Sequence, residues 1–181
     1  MSKGWQHFKT ITHHKVLVCK NCFKVGLIWQ GLTHDLSKYS PTEFKVGAKY
    51  FQGTRSPNNA EREDIGYSSA WLHHKGRNKH HFEYWLDYGK KEDGKIGIIP
   101  APMPKKYIAE MIMDRIAASM VYLGDKYTDS SALEYYKFEK SIGNEFIHKD
   151  TEEVLVMLLT MLSEKGEKET FKYIKKYLKE K

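Results

Sequence analysis

The sequence is poor in cysteine and proline and contains no long apolar run. Its 181 residues include 2 cysteines and 5 prolines, and no apolar stretch approaches the roughly 20 residues that a membrane-spanning helix needs. The two cysteines, Cys19 and Cys22, have no second pair with which to complete a zinc tetrahedron, so we expect them to pack in the core. The first residues lack the apolar core of a signal peptide, which predicts a soluble, cytoplasmic protein without a membrane partner.

Strand patterns, internal repeats and low-complexity segments are also missing from the sequence. Apolar residues instead recur at three- and four-residue steps, which is the spacing of helices that bury one face. We therefore predict an all-α fold that forms a single domain over residues 1–181, a length sufficient for a substantial core. The predicted helices cover about residues 5–29, 41–51, 65–74, 104–123, 131–141, 151–165 and 167–179, with loops at 53–64 and 90–104.

Positive charge is concentrated in the first part of the chain. The formal net charge is +7, and residues 1–50 hold eight lysines and only two acids. Such an excess favours an anionic ligand and is compatible with nucleic acid. A basic solvated surface that keeps the protein soluble explains the same count.

The chain contains 9 histidines, and one of them stands beside an aspartate. His34 and Asp35 are adjacent at the predicted start of a short helix that Thr33 can cap. Such a pair offers one nitrogen and one oxygen donor to a divalent metal if other histidines converge on it. An isolated pair is more simply explained as an acid that complements a helix dipole. The metal interpretation therefore depends on the remaining histidines.

Helix phase selects two further candidates, His14 and Asp114. His14 stands three residues after Ile11 and four before Val18, on the inward side of the helix, whereas His13 is rotated by about 100°. Asp114 occupies the apolar face of a later predicted helix, where a carboxylate is costly to bury unless it is paired or binds a metal. An inward histidine alone is more often a core residue, so the two positions gain weight only together.

Residues 71–85 are the segment richest in chemically active side chains, with four histidines among cations and aromatic rings. A core needs few imidazoles, so His73 or His74, and His80 or His81, are candidate ligands. The cations and rings would suit a nucleic acid. The helical spacing of the rings favours packing in the core instead.

Taken in order, the candidates resemble the HD-domain superfamily, which comprises metal-dependent phosphohydrolases. The segment His34-Asp35-Leu36-Ser37-Lys38 is similar to the His-Asp-x-Gly-Lys motif of the two-metal version, with Ser37 in place of the glycine. The pair His80-His81 looks like the His-His pair of that version, but no Gly-Tyr-Pro motif follows it. Specificity for cyclic dinucleotides is therefore not implied. Over nearly its whole length the chain also resembles an uncharacterised family of HD-like bacterial and phage proteins.

The resemblance implies an HD-like helical bundle with a metal-site region at about residues 14–114 and packing helices at about 131–180. It implies divalent transition metal ions, two in number and drawn from iron, manganese, zinc or nickel. The implied metal ligands are His14, His34, Asp35, His74, His81 and Asp114. Asp35 would bridge the ions, and His80 or His81, if it binds no metal, could act as general acid for the leaving oxygen. The implied contacts to substrate phosphate are Lys38, Lys75 and Arg77.

These features together predict hydrolysis of a phosphate mono- or diester, with a nucleotide or a related small anionic metabolite as substrate. A second hypothesis is oxygen activation, because the same helical fold with a di-iron centre supports oxidative cleavage in inositol-oxygenase-like enzymes. A third hypothesis is a nucleic-acid-binding module in which the histidines are structural or hold one zinc ion. The sequence hardly separates the first two.

Overall fold

A computed structural model describes residues 1–143 and 146–180. Asn144, Glu145 and Lys181, which the predicted domain includes, lie outside the described residues. Within these ranges the chain forms eight α-helices and one antiparallel pair of strands. The helices are α1 (Lys3–Val25), α2 (Ile28–Thr33), α3 (Pro41–Tyr50), α4 (Pro57–Ile65), α5 (Ser69–Lys75), α6 (Lys105–Leu123), α7 (Ser131–Ser141) and α8 (Lys149–Tyr177). The strands are β1 (Leu86–Lys90) and β2 (Ile96–Pro100), and short 3₁₀ turns cover Leu36–Tyr39, Phe82–Trp85 and Gly124–Lys126.

Helix α6 lies at the centre of the apolar core, between α1 on one side and α7 and α8 on the other. Its residues 108–113 are all buried, as expected for a helix that is apolar on nearly every side. Glu110 is the one charged residue in that row, so its burial requires a compensating partner. The largest fully buried side chains include Ile112 and Met113 on α6 and Leu158 and Leu162 on α8.

The predicted helix at residues 5–29 is divided in the structure by Gly26, which adopts a left-handed conformation (φ 88°) at the end of α1. A glycine reverses the chain there without the steric cost that a side chain would add. Helix α2 then folds back along α1, and a Cβ added to Gly31 would lie 3.0 Å from Cys22 Cβ. This close packing brings the end of α2, and therefore His34, beside the middle of α1.

The mainly helical prediction is confirmed, but the absence of strands was wrong. Strands β1 and β2 pair from Leu86↔Pro100 to Lys90↔Ile96. Strand β2 and the last residue of β1 lie in the loop predicted at 90–104, and the rest of β1 precedes it in a stretch for which no strand was predicted. Several residues on both faces of this hairpin are exposed, so no alternation of apolar and polar residues reveals it in the sequence. The turn signal Asp93-Gly94, with Gly94 at φ 81°, is the feature that marked a hairpin.

The predicted loop at 53–64 was also wrong, because it contains most of α4. Ser56 accepts a hydrogen bond from Asn58 N and Pro57 occupies the first helical position, which are both helix start signals. The helix is polar and has no apolar stripe, and for that reason periodicity missed it. Near the other end of the chain, Gly166 interrupts α8 with φ 75° and ψ 173°, where the sequence predicts a break between two helices. None of the described helices is both long and apolar enough to cross a membrane.

Candidate metal centre

The sequence predicted that His34 and Asp35 begin a short helix. In the structure they lie instead in a sharp turn between α2 and the 3₁₀ turn Leu36–Tyr39. His34 follows the last residue of α2, which is Thr33, and Asp35 has a left-handed backbone (φ 53°, ψ 25°). Asp35 is the only non-glycine residue with positive φ in the described chain, and this conformation costs free energy unless the surroundings hold it. Lys15 holds the turn, since its Nζ donates to the carbonyl oxygens of Leu32 and His34 at 2.8 Å each.

The first donor group consists of His14, His34, Asp35 and Asp114. Asp35 takes part in it through Oδ2, which faces the other three residues. His34 Nε2 lies 3.3 Å and His14 Nε2 lies 3.7 Å from this oxygen. Asp114 Oδ1 lies 2.9 Å from His14 Nε2 and 3.4 Å from His34 Nε2. One donor atom from each residue falls within 4.8 Å of every other, so the group could hold a metal ion.

Asp35 Oδ1 faces a second group, which we define as Asp35, His74, His80 and His81. Its distance is 3.2 Å to His74 Nε2 and 3.4 Å to His80 Nε2. His81 Nε2 lies 2.9 Å from His74 Nε2. The two oxygens of one carboxylate are therefore shared between two sets of imidazole donors.

Five donor atoms of these groups are buried and make no hydrogen bond of regular geometry among the described residues, although Asp35 Oδ2 forms an ion pair with Lys38 Nζ at 2.6 Å and His14 Nε2 lies 2.9 Å from Asp114 Oδ1. They are His14 Nε2, His34 Nε2, His80 Nε2, Asp35 Oδ1 and Asp35 Oδ2. Leaving buried polar atoms unpaired is costly, and so many in one place need a common explanation. Imidazole nitrogens and carboxylate oxygens are ligands that suit zinc, iron, nickel and manganese. The donor set therefore fits divalent transition metal ions.

Two buried glutamates orient the histidines from behind. Glu110 Oε1 on α6 lies 2.9 Å from His34 Nδ1 and 3.2 Å from His80 Nδ1. Glu43 Oε2 on α3 lies 2.8 Å from His74 Nδ1. An ionised carboxylate only accepts hydrogen bonds, so in the neutral form of each ring Nδ1 donates and the Nε2 lone pair is left on the side of Asp35.

The acids of the cluster are held in their charged forms. Burial would raise the pKa of Asp35, but the charges of His34 and Lys38 lower it well below its usual value. Burial would likewise raise the pKa of Asp114, and contacts with His14 and His34 lower it well below its usual value. Two buried carboxylates with lowered pKa values concentrate negative charge in a region of low dielectric constant, which favours a bound cation.

The histidines respond to this charge in opposite ways. Burial would lower the pKa of His34, but the charge of Asp35 and contacts with Asp114 and Glu110 raise it well above its usual value. Burial and the neighbouring His80 and His74 lower the pKa of His81 well below its usual value. His81 is thus neutral, the form in which imidazole binds a metal. At His34 a proton competes with a metal ion for the same site.

Lys38 stands at the accessible side of the cluster. Its Nζ lies 2.6 Å from Asp35 Oδ2, and 30% of its side chain is exposed, against 2% for Asp35 and 16% for Asp114. Burial would lower the pKa of Lys38, but Asp35 and Asp114 raise it above its usual value. Lys38 therefore presents a permanent positive charge where an anion could enter.

The structure does not bring every predicted site residue to the cluster. All six predicted ligands belong to the two groups, and His80, predicted as an unliganded acid, lies among the donors of the second group. The side chains of Lys75 and Arg77 form no hydrogen bond or ion pair with either group within the described ranges, and Arg77 Nη1 donates to the carbonyl oxygen of His73 at 3.4 Å. His73 Nδ1 contacts Glu43 Oε1 at 2.6 Å and lies outside both groups.

Sequence reasoning missed the two glutamates and the use of Ser37. Glu110 stands four residues before Asp114, one turn earlier on α6, and this spacing was the available signal. Glu43 looks like the acid of a capping box, and its N–H does donate to Ser40 Oγ at 3.4 Å, but its side chain reaches α5. Ser37 Oγ, in the place of the motif glycine, lies 3.2 Å from His74 Nδ1.

Comparison with protein-family models matches residues 3–161 to DUF5662, a family of unknown function. The match covers most of the chain and includes every residue of both donor groups, so the chain belongs to DUF5662. No curated protein and no solved structure matches the chain.

Proposed function

We propose that this DUF5662 protein is a metal-dependent phosphohydrolase built on an HD-like helical bundle. The substrate is a phosphate mono- or diester, such as a nucleotide or a related small metabolite. The observation that supports this most strongly is the position of Asp35, whose Oδ2 faces the first group and whose Oδ1 faces the second. A carboxylate shared between two histidine-rich donor sets suits a two-metal hydrolytic centre.

The protein side of such a centre is complete in the described residues. His14, His34 and Asp114 would hold one ion, and His74, His80 and His81 the other, with Asp35 between them. Two divalent ions there would supply Lewis acidity toward a phosphoryl group and activation of water near neutral pH. Glu110 and Glu43 fix the imidazole rings behind the ligands, which spares the site reorganisation during the reaction.

Lys38 is the residue we assign to the substrate. Its cationic Nζ beside Asp35 can bind a phosphoryl oxygen and compensate the charge that develops during in-line displacement. With 30% of its side chain exposed, Lys38 could reach an anion that comes from solvent. The roles of Lys75 and Arg77 at substrate phosphate stay predictions. General acid catalysis by His80 was predicted only for a histidine that binds no metal, and it does not accompany the ligand role assigned to His80 here.

The test begins with protein purified without chelators, in which metals are measured by elemental analysis. The same preparation, supplied with the metal found, is then screened against phosphate monoesters and diesters. We expect two ions per chain and phosphate release. The matched variant Asp35→Asn keeps the size of the side chain but removes the shared charge, and it should lose both ions and all turnover while helicity measured by circular dichroism is unchanged.

Three outcomes would contradict the proposal. Full metal occupancy in Asp35→Asn would show that the ions bind elsewhere. A di-iron signal with oxygen uptake and no phosphate release would replace hydrolysis with oxygen activation on the same residues. Salt-dependent binding to DNA or RNA that survives complete metal removal, without turnover of any phosphoester, would instead support the nucleic-acid-binding hypothesis.

A further inference from the structure

The outer face of α1, α2 and the 3₁₀ turn exposes many large apolar side chains. We define this outer face by Trp5, Val16, Phe23, Trp29, Leu32 and Leu36 together with Lys9 and Lys20. Trp29 is 73% exposed, and each of the other five is at least 42% exposed. Isolated exposed apolar residues are ordinary, but a contiguous set marks an interaction surface.

Packing of α2 against α1 makes these residues neighbours rather than scattered positions. Lys15 Nζ on α1 donates to the carbonyl oxygen of Leu32 at 2.8 Å. Farther along, Tyr39 Oη lies 3.1 Å from Thr12 Oγ1. Helix α2 and the turn after it therefore run back along one side of α1. Their exposed side chains therefore lie beside the solvent side of α1.

The charge on this surface has a single sign. Residues 1–34 contain no acid, and the first two acids of the chain, Asp35 and Glu43, are buried. Lys9 and Lys20 are exposed and form no ion pair with the described residues, whereas Lys24 at the edge pairs with Glu167 at 3.4 Å. No arginine occurs before residue 55. The outer face is thus apolar and positively charged, with lysine as its only permanent cation.

A protein partner does not suit this arrangement. Lys9 and Lys20 lie on the same solvent-facing stripe of α1 as Val16 and Phe23. The spacing is seven residues from Lys9 to Val16, four from Val16 to Lys20 and three from Lys20 to Phe23, which keeps the four side chains on one face of the helix. The core of a protein interface is depleted of lysine, and here lysines alternate with apolar residues instead of forming a rim. A second copy of the chain would in addition oppose like charges.

Nucleic acid also fits poorly. Arginine is the usual residue for phosphate recognition by paired hydrogen bonds, and this surface has none. The aliphatic side chains of Val16, Leu32 and Leu36, each more than two-fifths exposed, have nothing to contact on a phosphate backbone.

We propose that the outer face binds the surface of a lipid bilayer that contains anionic lipids. Tryptophan and aliphatic side chains enter the boundary between headgroups and acyl chains, while lysines extend to the charged headgroups. Both kinds of residue are satisfied at once in this environment, as they are in no protein or nucleic-acid interface. The surface contains no member of either donor group, so the proposal does not rest on the proposed hydrolase activity.

The experiment is co-sedimentation of the full chain with vesicles of phosphatidylcholine alone and of phosphatidylcholine mixed with phosphatidylglycerol. We expect binding that requires phosphatidylglycerol and weakens with added salt. The pair Lys9→Gln with Lys20→Gln should lower affinity about fivefold for each lysine removed. The pair Trp29→Ser with Leu32→Ser should lower it about tenfold or more. Trp29→Phe should retain binding but reduce the blue shift of tryptophan fluorescence.

Matched controls lie elsewhere on the chain. Lys172→Gln with Lys176→Gln removes two exposed charges from α8, and Tyr88→Ser with Ile96→Ser removes two exposed apolar side chains from the hairpin. Both controls should bind vesicles like the unmodified protein. Circular dichroism checks that each variant is folded. The lysine variants, which change only exposed positions, decide the matter if the apolar pair is unstable.

Several results would overturn the proposal. Equal binding to both kinds of vesicle, or no binding to either, would show that the outer face does not recognise anionic lipids. Equal losses in the control and outer-face variants would make the binding non-specific. Binding to a DNA or RNA oligonucleotide but not to vesicles would assign the face to nucleic acid. A dimer in sedimentation that Trp29→Ser with Leu32→Ser dissociates would assign it to a second copy of the chain.

Discussion

Glu110 Oε1 accepts a hydrogen bond from His34 Nδ1 at 2.9 Å, and the same oxygen lies 3.2 Å from His80 Nδ1. His34 belongs to the first donor group and His80 to the second. A single buried carboxylate from the central helix therefore sets the ring orientation on both sides of Asp35. The two groups are coupled through this oxygen as well as through Asp35 itself.

The first prediction concerns Glu110→Gln, which removes the charge and keeps the shape. The amide oxygen of glutamine can still accept from both Nδ1 atoms, but without the negative charge it polarises the imidazoles less and makes them weaker metal ligands. We expect affinity to fall about 10- to 100-fold for both ions, because carboxylates behind metal-binding histidines have effects of that size. Competition with a chromophoric chelator measures both dissociation constants.

Glu43→Gln is the matched control for this prediction. Glu43 contacts His74 in the second group and also His73, but no member of the first. We expect it to weaken one ion only and to leave the other unchanged. Equal effects of the two substitutions on both ions would contradict the division into two groups.

The second prediction separates two adjacent histidines on α1. His14 is 6% exposed and contacts Asp114, whereas His13 is exposed. His14→Ala should remove a ligand from the first group and lower the metal content toward one ion per chain. His13→Ala, a change of the same size one residue away, should leave the content unchanged. Equal losses in elemental analysis would contradict the assignment of His14.

The contrast between these neighbours also shows what the sequence could reveal. The three- and four-residue spacing around His14 predicted its inward orientation, which the burial of His14 and the exposure of His13 confirm. Spacing works here because α1 is long and regular. The turn at Asp35 could not be predicted in this way, since its left-handed backbone depends on Gly26, on the short α2 and on Lys15 from α1.

The contacts of Glu43 and Glu110 with the histidines could not be predicted from the sequence for a different reason. Glu43 meets His74 across 31 positions and Glu110 meets His34 across 76, and local patterns carry no information about such pairs. His80 was separated from the ligands because its neighbour His81 fits the resemblance equally well. Only the packed chain shows both of them in the second group.

The third prediction concerns Lys38, which we assign to the substrate rather than to the metals. Lys38→Gln removes the charge 2.6 Å from Asp35 Oδ2 but no metal ligand. We expect two ions to remain bound, hydrolytic turnover of small phosphoesters to fall, and the inhibition constant for inorganic phosphate to rise about tenfold, as for a lost charged hydrogen bond. Loss of the metals instead would make Lys38 a structural residue of the cluster.

A control for this prediction is Lys45→Gln on the neighbouring helix α3. Lys45 is exposed and contacts neither donor group in the described parts of the chain. It should leave phosphate inhibition unchanged. If both lysine variants raise the inhibition constant for phosphate equally, the effect comes from net charge and not from the position of Lys38.

The fourth prediction concerns His7, a buried histidine on α1 outside both donor groups. Its ring packs beside Phe44 and Phe51, its Nδ1 has no hydrogen-bond partner among the described residues, and a Cβ on Gly47 would lie 2.3 Å from its Nε2. Burial, aided by the charge of Lys38, lowers the pKa of His7 from 6.5 to about 4. The folded protein therefore holds this imidazole neutral.

The sign of the pH effect follows from that lowered pKa. Between pH 6.5 and about 4 the unfolded chain binds a proton at His7 and the folded chain does not, so stability falls as pH falls. The loss is on the order of 3 kcal/mol when the window has been crossed. His7→Gln cannot take up this proton. Urea unfolding of both proteins at neutral pH and near pH 4 isolates the term, because all other groups are common to both. We expect the unmodified protein to lose more stability than the variant, and parallel losses would show that His7 is already protonated in the folded chain.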